Sequence, residues 1–183
     1  MSLPINAAAF YVGNVTIRTL IPEDWEIFRE VRIRALTLHP QYFSQTVDDS
    51  MAQPRAHWQS TLDNHGKRVL GLFHEGNLIG ITAVFTWRER QEGDTGLMAM
   101  SFIEPEYRGN KYSDLFYEER IKFSISHTPW KTLHIAHREG NEPSKRAILR
   151  NGFSFIGTNS TTWPDGTCAQ EYIYEMCLET LRA

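Results

Sequence analysis

The chain has 183 residues, of which 41% are hydrophobic and 22% are charged, and its formal net charge is −3. This length fits one globular domain with a sizeable core, and the composition is ordinary for a globular protein. A mildly acidic chain without a basic recognition helix excludes nucleic acid as an expected partner.

The N-terminal region predicts neither an export signal nor a membrane segment. Residues 1–13 are expected to form a flexible arm ahead of a single domain that covers residues 14–183. The short apolar stretch at residues 7–12 has no basic region before it, so it does not resemble a signal peptide. No run approaches the roughly 20 apolar residues that span a bilayer. We therefore expect a cytoplasmic protein with no membrane partner.

The first predicted elements are a strand and two helices. Residues 15–20 alternate apolar and polar side chains, as a half-buried strand does. Pro22 stands at a first helical position, and apolar residues then recur at helical spacing until His39-Pro40 ends the pattern. Pro54 begins a second, short helix that is predicted to reach about residue 64.

Three strands and a long helix are predicted next. Residues 68–73 and 78–87 flank a four-residue connection that is typical of a hairpin. Residues 96–103 predict a third strand, and residues 112–127 predict the helix. The remaining elements are a strand, a helix closed by Gly152, and two strands, at residues 132–137, 141–151, 153–157 and 171–178. Helices placed between strands favour a mixed α/β sheet with at least one parallel crossover.

The predicted helix at residues 112–127 carries apolar side chains on two opposite faces. Such a helix is either covered on both sides by its own chain, or it lends one stripe to a partner chain, as in a homodimer. The first stripe contains Tyr112, Leu115, Phe116 and Phe123, and the second contains Tyr117, Ile121 and Ile125.

Neither a disulfide nor a metal site is expected. If the chain between Cys168 and Cys177 is extended, nine residues at roughly 3.3 Å each hold the two thiols too far apart for a bond. His134 and His137 lie three positions apart on one predicted strand, so they face opposite sides. The chain contains no Cys-x-x-Cys and no His-Glu-x-x-His spacing.

The most informative segment is Pro-Glu-Tyr-Arg-Gly-Asn-Lys-Tyr-Ser at residues 105–113. It leads from a buried predicted strand into the N-terminus of a predicted helix. The N–H groups of a first helical turn have no partners inside the helix, and the helix dipole favours negative charge there. A short Arg-Gly turn in this position predicts a cradle for phosphate groups.

Two motifs in a fixed order carry a family resemblance. The first is Ile-x-Pro-x-Tyr-Arg-Gly at residues 103–109, which is similar to the pyrophosphate loop Arg/Gln-x-x-Gly-x-Gly/Ala. The second is Asn-x-x-Ser at residues 141–144, followed by Gly-Phe at residues 152–153. With the order of predicted strands from about residue 15 to residue 178, these motifs resemble the GNAT superfamily of acetyl-CoA-dependent N-acetyltransferases. Residues 32–43 resemble one bacterial branch of that superfamily.

The resemblance implies a GNAT-like mixed α/β fold and acetyl-CoA as co-substrate. In such proteins the strand before the loop splays from its neighbour, and its free backbone groups bond the pantetheine arm. Backbone N–H groups of the loop hold the pyrophosphate, and the second motif lines the exit of CoA. The implied acetyl-CoA-binding residues are Phe102, Ile103, Arg108, Gly109, Asn110, Lys111, Tyr112, Ser113, Asn141 and Ser144.

The chain departs from the family pattern at three positions. Lys111 and Ser113 stand where the loop has small residues, and glycine there permits close backbone approach and unusual dihedral angles. Ile148 stands where many relatives have a tyrosine that protonates the departing thiolate. We expect acetyl-CoA binding to survive with an altered affinity. Lys111 and Ile148 favour, as an alternative, a non-catalytic acyl-CoA-binding sensor or scaffold with a degenerate site.

The catalytic candidates are His137 and Glu104. A protonated amine cannot attack, so the reaction needs a base or a water path to one. His137 is predicted at a strand end that faces the cleft, and histidine titrates near neutral pH. Glu104 is predicted at the mouth of the splayed strand. Backbone near Phe102 would stabilise the developing oxyanion, and Tyr172 or Tyr174 would replace the missing acid.

We therefore expect an N-acetyltransferase that moves the acetyl group of acetyl-CoA to a primary amine by direct attack in a ternary complex, without a metal. The acceptor stays open among a peptide N-terminus, a lysine, a polyamine and an antibiotic. Acidic residues at 48–49 and 89–94 would favour a cationic amine. A third interpretation, an enzyme that uses a longer acyl-CoA, differs only in the size of the pocket at the strand splay.

Overall fold

The computed structural model describes residues 10–12, 14–87 and 93–182. Eight strands are present in this part of the chain: β1 (Phe10–Val12), β2 (Val15–Thr19), β3 (Lys67–His74), β4 (Asn77–Thr86), β5 (Thr95–Ile103), β6 (Thr132–Arg138), β7 (Ser154–Thr162) and β8 (Cys168–Cys177). The helices described are α1 (Trp25–Leu38), α2 (Val47–Met51), α3 (Arg55–Thr61), α4 (Tyr112–His127) and α5 (Glu142–Arg150).

The strands form one sheet in the order β1-β2-β3-β4-β5-β6-β8-β7. Within the described residues, β5 and β6 pair in parallel and the other neighbours pair antiparallel. Parallel neighbours need a crossover connection, which α4 supplies between β5 and β6. The predicted mixed α/β sheet with a parallel crossover is therefore confirmed.

Helices cover both faces of the sheet. On one face, Phe28 of α1 and Trp58 of α3 share a buried cluster with side chains of β3 and β4. On the other face, Tyr117 of α4 and Ile148 of α5 share a cluster with side chains of β5, β6 and β8. The core therefore lies in two layers, and residues at the centre of the sheet are within reach of both.

The structure of α1 follows the predicted pattern with a later start. Pro22 begins a 3-10 turn, and the α-helix itself starts at Trp25. Phe28 and Val31 follow at helical spacing and are buried against the sheet. The helix ends before Pro40, as the restricted backbone ahead of a proline requires.

Three segments differ from the sequence-based expectations. Residues 10–12 of the expected arm form β1 beside β2, while residues 1–9 and 13 lie outside the described residues, so the arm stays a prediction. The sequence does not predict α2, because five residues are too few for a helical repeat. β7 continues to Thr162, beyond the predicted strand end at residue 157, since its exposed Ser and Thr side chains give no apolar alternation.

Both apolar stripes of α4 pack within this chain. Phe116 belongs to one buried cluster, and Tyr117 belongs to the neighbouring one. Ile121, Phe123 and Ile125 are partly buried against the second cluster. The two-sided pattern is therefore explained by cover from the chain's own sheet, and a homodimer stays a prediction.

Two smaller expectations concern cysteines and membrane spans. Cys168 and Cys177 are free thiols at the two ends of β8. Among the helices that the structure describes, none is long and apolar enough to cross a bilayer. In the same part of the chain, no group of three or more His, Cys, Asp or Glu side chains is arranged to hold a metal ion.

Candidate active site

The sheet opens between β5 and β6. The two strands pair only through residues 95–98 and 132–135. Beyond that point β5 has a bulge, in which Met100 has a φ of 59°. Ala99 and Phe102 of β5, three positions apart, pair with Ala83 and Ile81 of β4, which are two positions apart. β5 therefore carries one extra residue between these pairs, as a β-bulge does. Among the described residues, 99–103 therefore have no strand partner on the side away from β4.

The loop that follows β5 leaves the first turn of α4 uncapped. Gly109 has a φ of 83°, and Lys111, the N-cap residue, has a φ of 61°. The N-cap makes no side-chain hydrogen bond to the helix. The N–H groups of Tyr112 and Ser113 have no acceptor inside the helix, so they are available to an anion. This geometry fits a pyrophosphate group.

Lys111 takes the left-handed conformation that the family pattern assigns to glycine. For a lysine this conformation costs roughly 1–2 kcal/mol, and glycine avoids the cost but loses about 0.5–1 kcal/mol of chain entropy. We expect Lys111→Gly to be as stable as the wild type or more stable, by up to about 1 kcal/mol. Lys111→Ala keeps the strain and serves as the matched control.

The same pair of variants tests the charge of Lys111. Both variants lack the ammonium group at the α4 N-terminus, so we expect both to bind acetyl-CoA about two- to fivefold more weakly. Calorimetric titration measures the affinity, and urea unfolding measures the stability. Equal stability losses in the two variants would contradict the strain argument.

The Arg108 side chain bonds to β5 and to the residue after α1. Its Nε donates to the Ile103 carbonyl oxygen at 2.8 Å, and its Nη2 donates to His39 Nε2 at 2.9 Å. His39 is therefore neutral, with its proton on Nδ1. Burial and the charge of Arg108 lower the pKa of His39. The His39 ring also lies 6.2 Å from the Phe102 ring, so this contact joins the loop to α1.

The lowered pKa of His39 predicts a pH dependence of stability. Because folding favours the neutral imidazole, its contribution is complete above the ordinary pKa of about 6.5 and is lost as pH falls through the lower folded value. We expect the melting temperature of the wild type to fall more steeply below about pH 6.5 than that of His39→Asn. Thermal melts of the two proteins between about pH 5 and pH 8 measure the difference, and equal slopes would contradict this prediction.

The N-terminus of α5 is capped by the second motif. The Asn141 side-chain oxygen accepts the Ser144 N–H at 3.3 Å, and both residues line the cleft described below. Arg150 at the other end of α5 pairs with Asp114 at 2.6 Å. The motif therefore fixes how α5 meets the cleft, and Arg150 is engaged with α4.

His137 lies near the end of β6 with both ring nitrogens hydrogen-bonded. Its Nδ1 is 2.8 Å from the carbonyl oxygen of Arg138, so Nδ1 carries the proton and donates it. Its Nε2 then accepts the Tyr174 hydroxyl at 3.1 Å. The Tyr172 ring stacks on the imidazole at 5.4 Å. Burial raises the pKa of Tyr174, so the hydroxyl keeps its proton and Nε2 is the basic atom.

Glu104 is buried and held away from the cleft. Its Oε1 accepts Arg34 Nη1 at 2.7 Å, and its backbone N–H donates to the Ile79 carbonyl oxygen at 2.8 Å. The side chain is not among the residues that line the cleft. This ion pair connects the end of β5 to α1, so the structure gives Glu104 a bracing position.

Ile148 and Tyr117, on α5 and α4, concern the acid that would protonate the departing thiolate. Ile148 is fully buried in the core. Tyr117, one turn into α4, lines the cleft, and burial raises its pKa. The Arg120 guanidinium lies 4.8 Å from the centre of the Tyr117 ring. Sequence reasoning assigned Tyr117 to an apolar stripe and so missed a tyrosine that lines the cleft.

One cleft of about 1130 Å³ joins these features. Its lining combines residues from both faces of the sheet at the place where β5 and β6 separate. All the site residues expected from the sequence line it, except Glu104, Asn110, Tyr172 and Tyr174. The Asn110 side chain instead donates to the Tyr107 carbonyl oxygen at 3.1 Å, within the loop.

The part of the cleft formed by α1, α3 and the segment between them was not expected from the sequence. Its lining includes Arg32, Asp49 and His57. Arg32 follows Phe28 by four positions, so it occupies the stripe of α1 that faces the core. A charged residue on an otherwise apolar helical stripe is the sequence signal that would have indicated this part of the cleft.

The comparison with known families agrees with this geometry. Residues 14–154 match the acetyltransferase (GNAT) domain family. The chain therefore belongs to this family and is an acyltransferase, which confirms both expectations drawn from the two motifs. No curated protein matches the chain in sequence.

Solved structures with the same fold have low sequence identity to this chain. The ribosomal-protein-S5-alanine acetyltransferase of Vibrio fischeri is 12% identical, with a TM-score of 0.79 over 94% of this chain and 97% of that one. A GNAT acetyltransferase of Streptococcus pneumoniae is 17% identical, with a TM-score of 0.77 over 89% and 98%. Spermidine N-acetyltransferase of Vibrio cholerae, solved with CoA and spermine, is 12% identical, with a TM-score of 0.70 over 92% and 98%. These similarities show the fold.

Proposed function

We propose that this protein transfers the acetyl group of acetyl-CoA to a primary amine by direct attack within a ternary complex. The observation that supports the proposal is the continuous cleft, which is lined from both faces of the sheet at the gap between β5 and β6. Two ligands that enter from opposite faces would meet there without a covalent enzyme intermediate. The related enzymes of known name act on a protein alanine and on spermidine, which are both amines.

The residues at the loop fit acetyl-CoA. The uncapped N–H groups of Tyr112 and Ser113 would bind the pyrophosphate. The backbone of residues 99–102 on the side away from β4 would bond the pantetheine arm. Asn141 fixes α5 where it borders the cleft. Acetyl-CoA, when bound, supplies an acetyl group activated as a thioester.

Two proton transfers are assigned to side chains of the cleft. The amine must lose a proton as it attacks, and His137 Nε2 would take that proton. The hydrogen bond that Nε2 now accepts from the Tyr174 hydroxyl would break when it does. The bond from His137 Nδ1 to the Arg138 carbonyl oxygen would steady the resulting imidazolium. The Tyr117 hydroxyl, which keeps its proton at neutral pH, would return a proton to the departing sulfur.

A thiol-release assay over a panel of amines tests the proposal. We expect release of free CoA together with a mass increase of one acetyl group on the accepted amine. Incubation with acetyl-CoA alone is expected to leave the protein mass unchanged, because no acyl-enzyme forms. Tight CoA binding without turnover on any amine would support the non-catalytic sensor instead.

A further inference from the structure

Arg32 is a buried charge on the side of the cleft that faces away from α4. It lies in the middle of α1 and lines the cleft with only 4% of its surface exposed. Its neighbours on the same helical stripe, Phe28 and Ala35, are core residues. An arginine at such a position is unusual, because arginine is almost never fully buried unless it is paired.

The charge of Arg32 has no counter-ion in the part of the chain that the structure describes. Its Nη2 donates to Gln45 Oε1, a neutral acceptor, at 2.9 Å. Its guanidinium carbon lies 4.7 Å from the centre of the Phe43 ring. Its Nη1 is buried and has no hydrogen-bond partner among the described residues. Burial lowers the pKa of Arg32 to about 10, so the side chain stays charged at neutral pH.

An unpaired buried cation with a free donor needs an anion to offset its desolvation. The guanidinium group is planar and matches a carboxylate with two parallel N–H···O bonds. A polyamine supplies only cations, which Arg32 would repel. Asp49, an exposed carboxylate at the same side of the cleft, has no cation in ion-pair contact within the described ranges, so an ammonium group would be tolerated there.

We propose that Arg32 binds the carboxylate of the acceptor, and that the acceptor is therefore an amino acid or short peptide that carries an amine and a carboxylate in one molecule. This inference rests on the proposed acetyl transfer and names its acceptor class. It departs from the expectation of a purely cationic amine, because the acidic residues at 48–49 lie at the surface whereas Arg32 is enclosed.

Matched pairs of acceptors test the carboxylate. The amino acids glycine, methionine and phenylalanine are each compared with their carboxamides, and spermidine and aminoethylphosphonate are added as other classes. We expect at least one amino acid to exceed its carboxamide in kcat/KM by about tenfold or more. A preference for spermidine, for aminoethylphosphonate or for the carboxamides would overturn the proposal.

Variants of Arg32 connect the preference to this side chain. Arg32→Met is expected to lose the preference by lowering kcat/KM for the amino acid alone, with the carboxamide unchanged. Arg32→Lys keeps a charge without the planar guanidinium group, so its kcat/KM for the amino acid is expected to lie between those of the wild type and Arg32→Met. Arg29→Met, on the same helix but outside the cleft, is the matched control. Equal losses for amino acid and carboxamide in Arg32→Met would show a structural role and overturn the proposal.

A binding experiment separates this inference from the proposed function. The amino acid that gives the strongest signal is titrated into protein saturated with CoA, and binding is followed by calorimetry without any turnover. Binding that disappears in Arg32→Met and persists in Arg29→Met supports the carboxylate site even if no amine is acetylated. Absence of binding by every amino acid tested would overturn it even if another amine is acetylated.

Discussion

Replacement of His137 by glutamine is expected to lower kcat by about a hundredfold or more, the usual contribution of a positioned general base. Glutamine offers an oxygen near the position of Nε2, so it can still accept the Tyr174 hydroxyl, but it has no basic nitrogen. Acetyl-CoA affinity should change by less than about threefold, because the phosphate cradle at α4 does not include His137. Steady-state kinetics and calorimetric titration measure the two quantities.

Tyr174→Phe is the matched control for His137→Gln. It removes the hydroxyl that occupies Nε2 and leaves the imidazole in place, so kcat should stay within a few-fold of the wild type. The assignment fails if His137→Gln keeps most of the activity, or if His39→Asn shows the large loss instead.

Regular elements with a strong local pattern were predictable from the sequence. The alternation at β2, the helical spacing of α1 and the hairpin between β3 and β4 depend on residues that are close together in the sequence. The α4 bounds also agree, because the Arg-Gly turn and the helix start share one short segment. The loop was recognisable despite Lys111, since its left-handed backbone is a property of the position rather than of glycine alone.

Features that depend on distant contacts were not predictable. Glu104 is next to the splayed strand in sequence, but its pairing with Arg34, seventy positions away, turns it out of the cleft. Tyr117 was assigned to an apolar stripe because only the folded sheet shows that this side of α4 borders the cleft. The burial of Arg32 was not predictable because it depends on the segment around Phe43, which packs over α1 only in the folded chain.

The two motifs and the bulge of β5 all lie at the gap between β5 and β6, and the break in strand pairing explains why. The bulge at Met100 separates β5 from β6, which exposes backbone groups and opens a passage between the two faces of the sheet. The turn after β5 then places the uncapped N-terminus of α4 beside that passage. Anion binding and access to the opposite face are thus consequences of the same break in strand pairing.

Gly80→Ala tests this break directly. A β-carbon at Gly80 would lie 2.9 Å from the Phe102 carbonyl oxygen and 3.4 Å from the Ile103 Cα, and backbone atoms move only if the strand moves. We expect the free energy of unfolding to fall by about 1–3 kcal/mol. We also expect acetyl-CoA to bind about tenfold more weakly, because the end of β5 that lines the cleft is displaced.

Gly71→Ala distinguishes lost stability from a displaced site. Gly71 lies on neighbouring β3, and the three atoms nearest to its β-carbon would all be side-chain atoms, those of Leu20, Leu78 and Phe73, at 2.7–2.8 Å. This variant should be destabilised to a similar degree, yet its acetyl-CoA affinity should stay within about twofold of the wild type. Urea unfolding and calorimetric titration at a temperature where both variants are folded give the comparison. Equal affinities in the two variants would mean that the end of β5 does not hold the co-substrate.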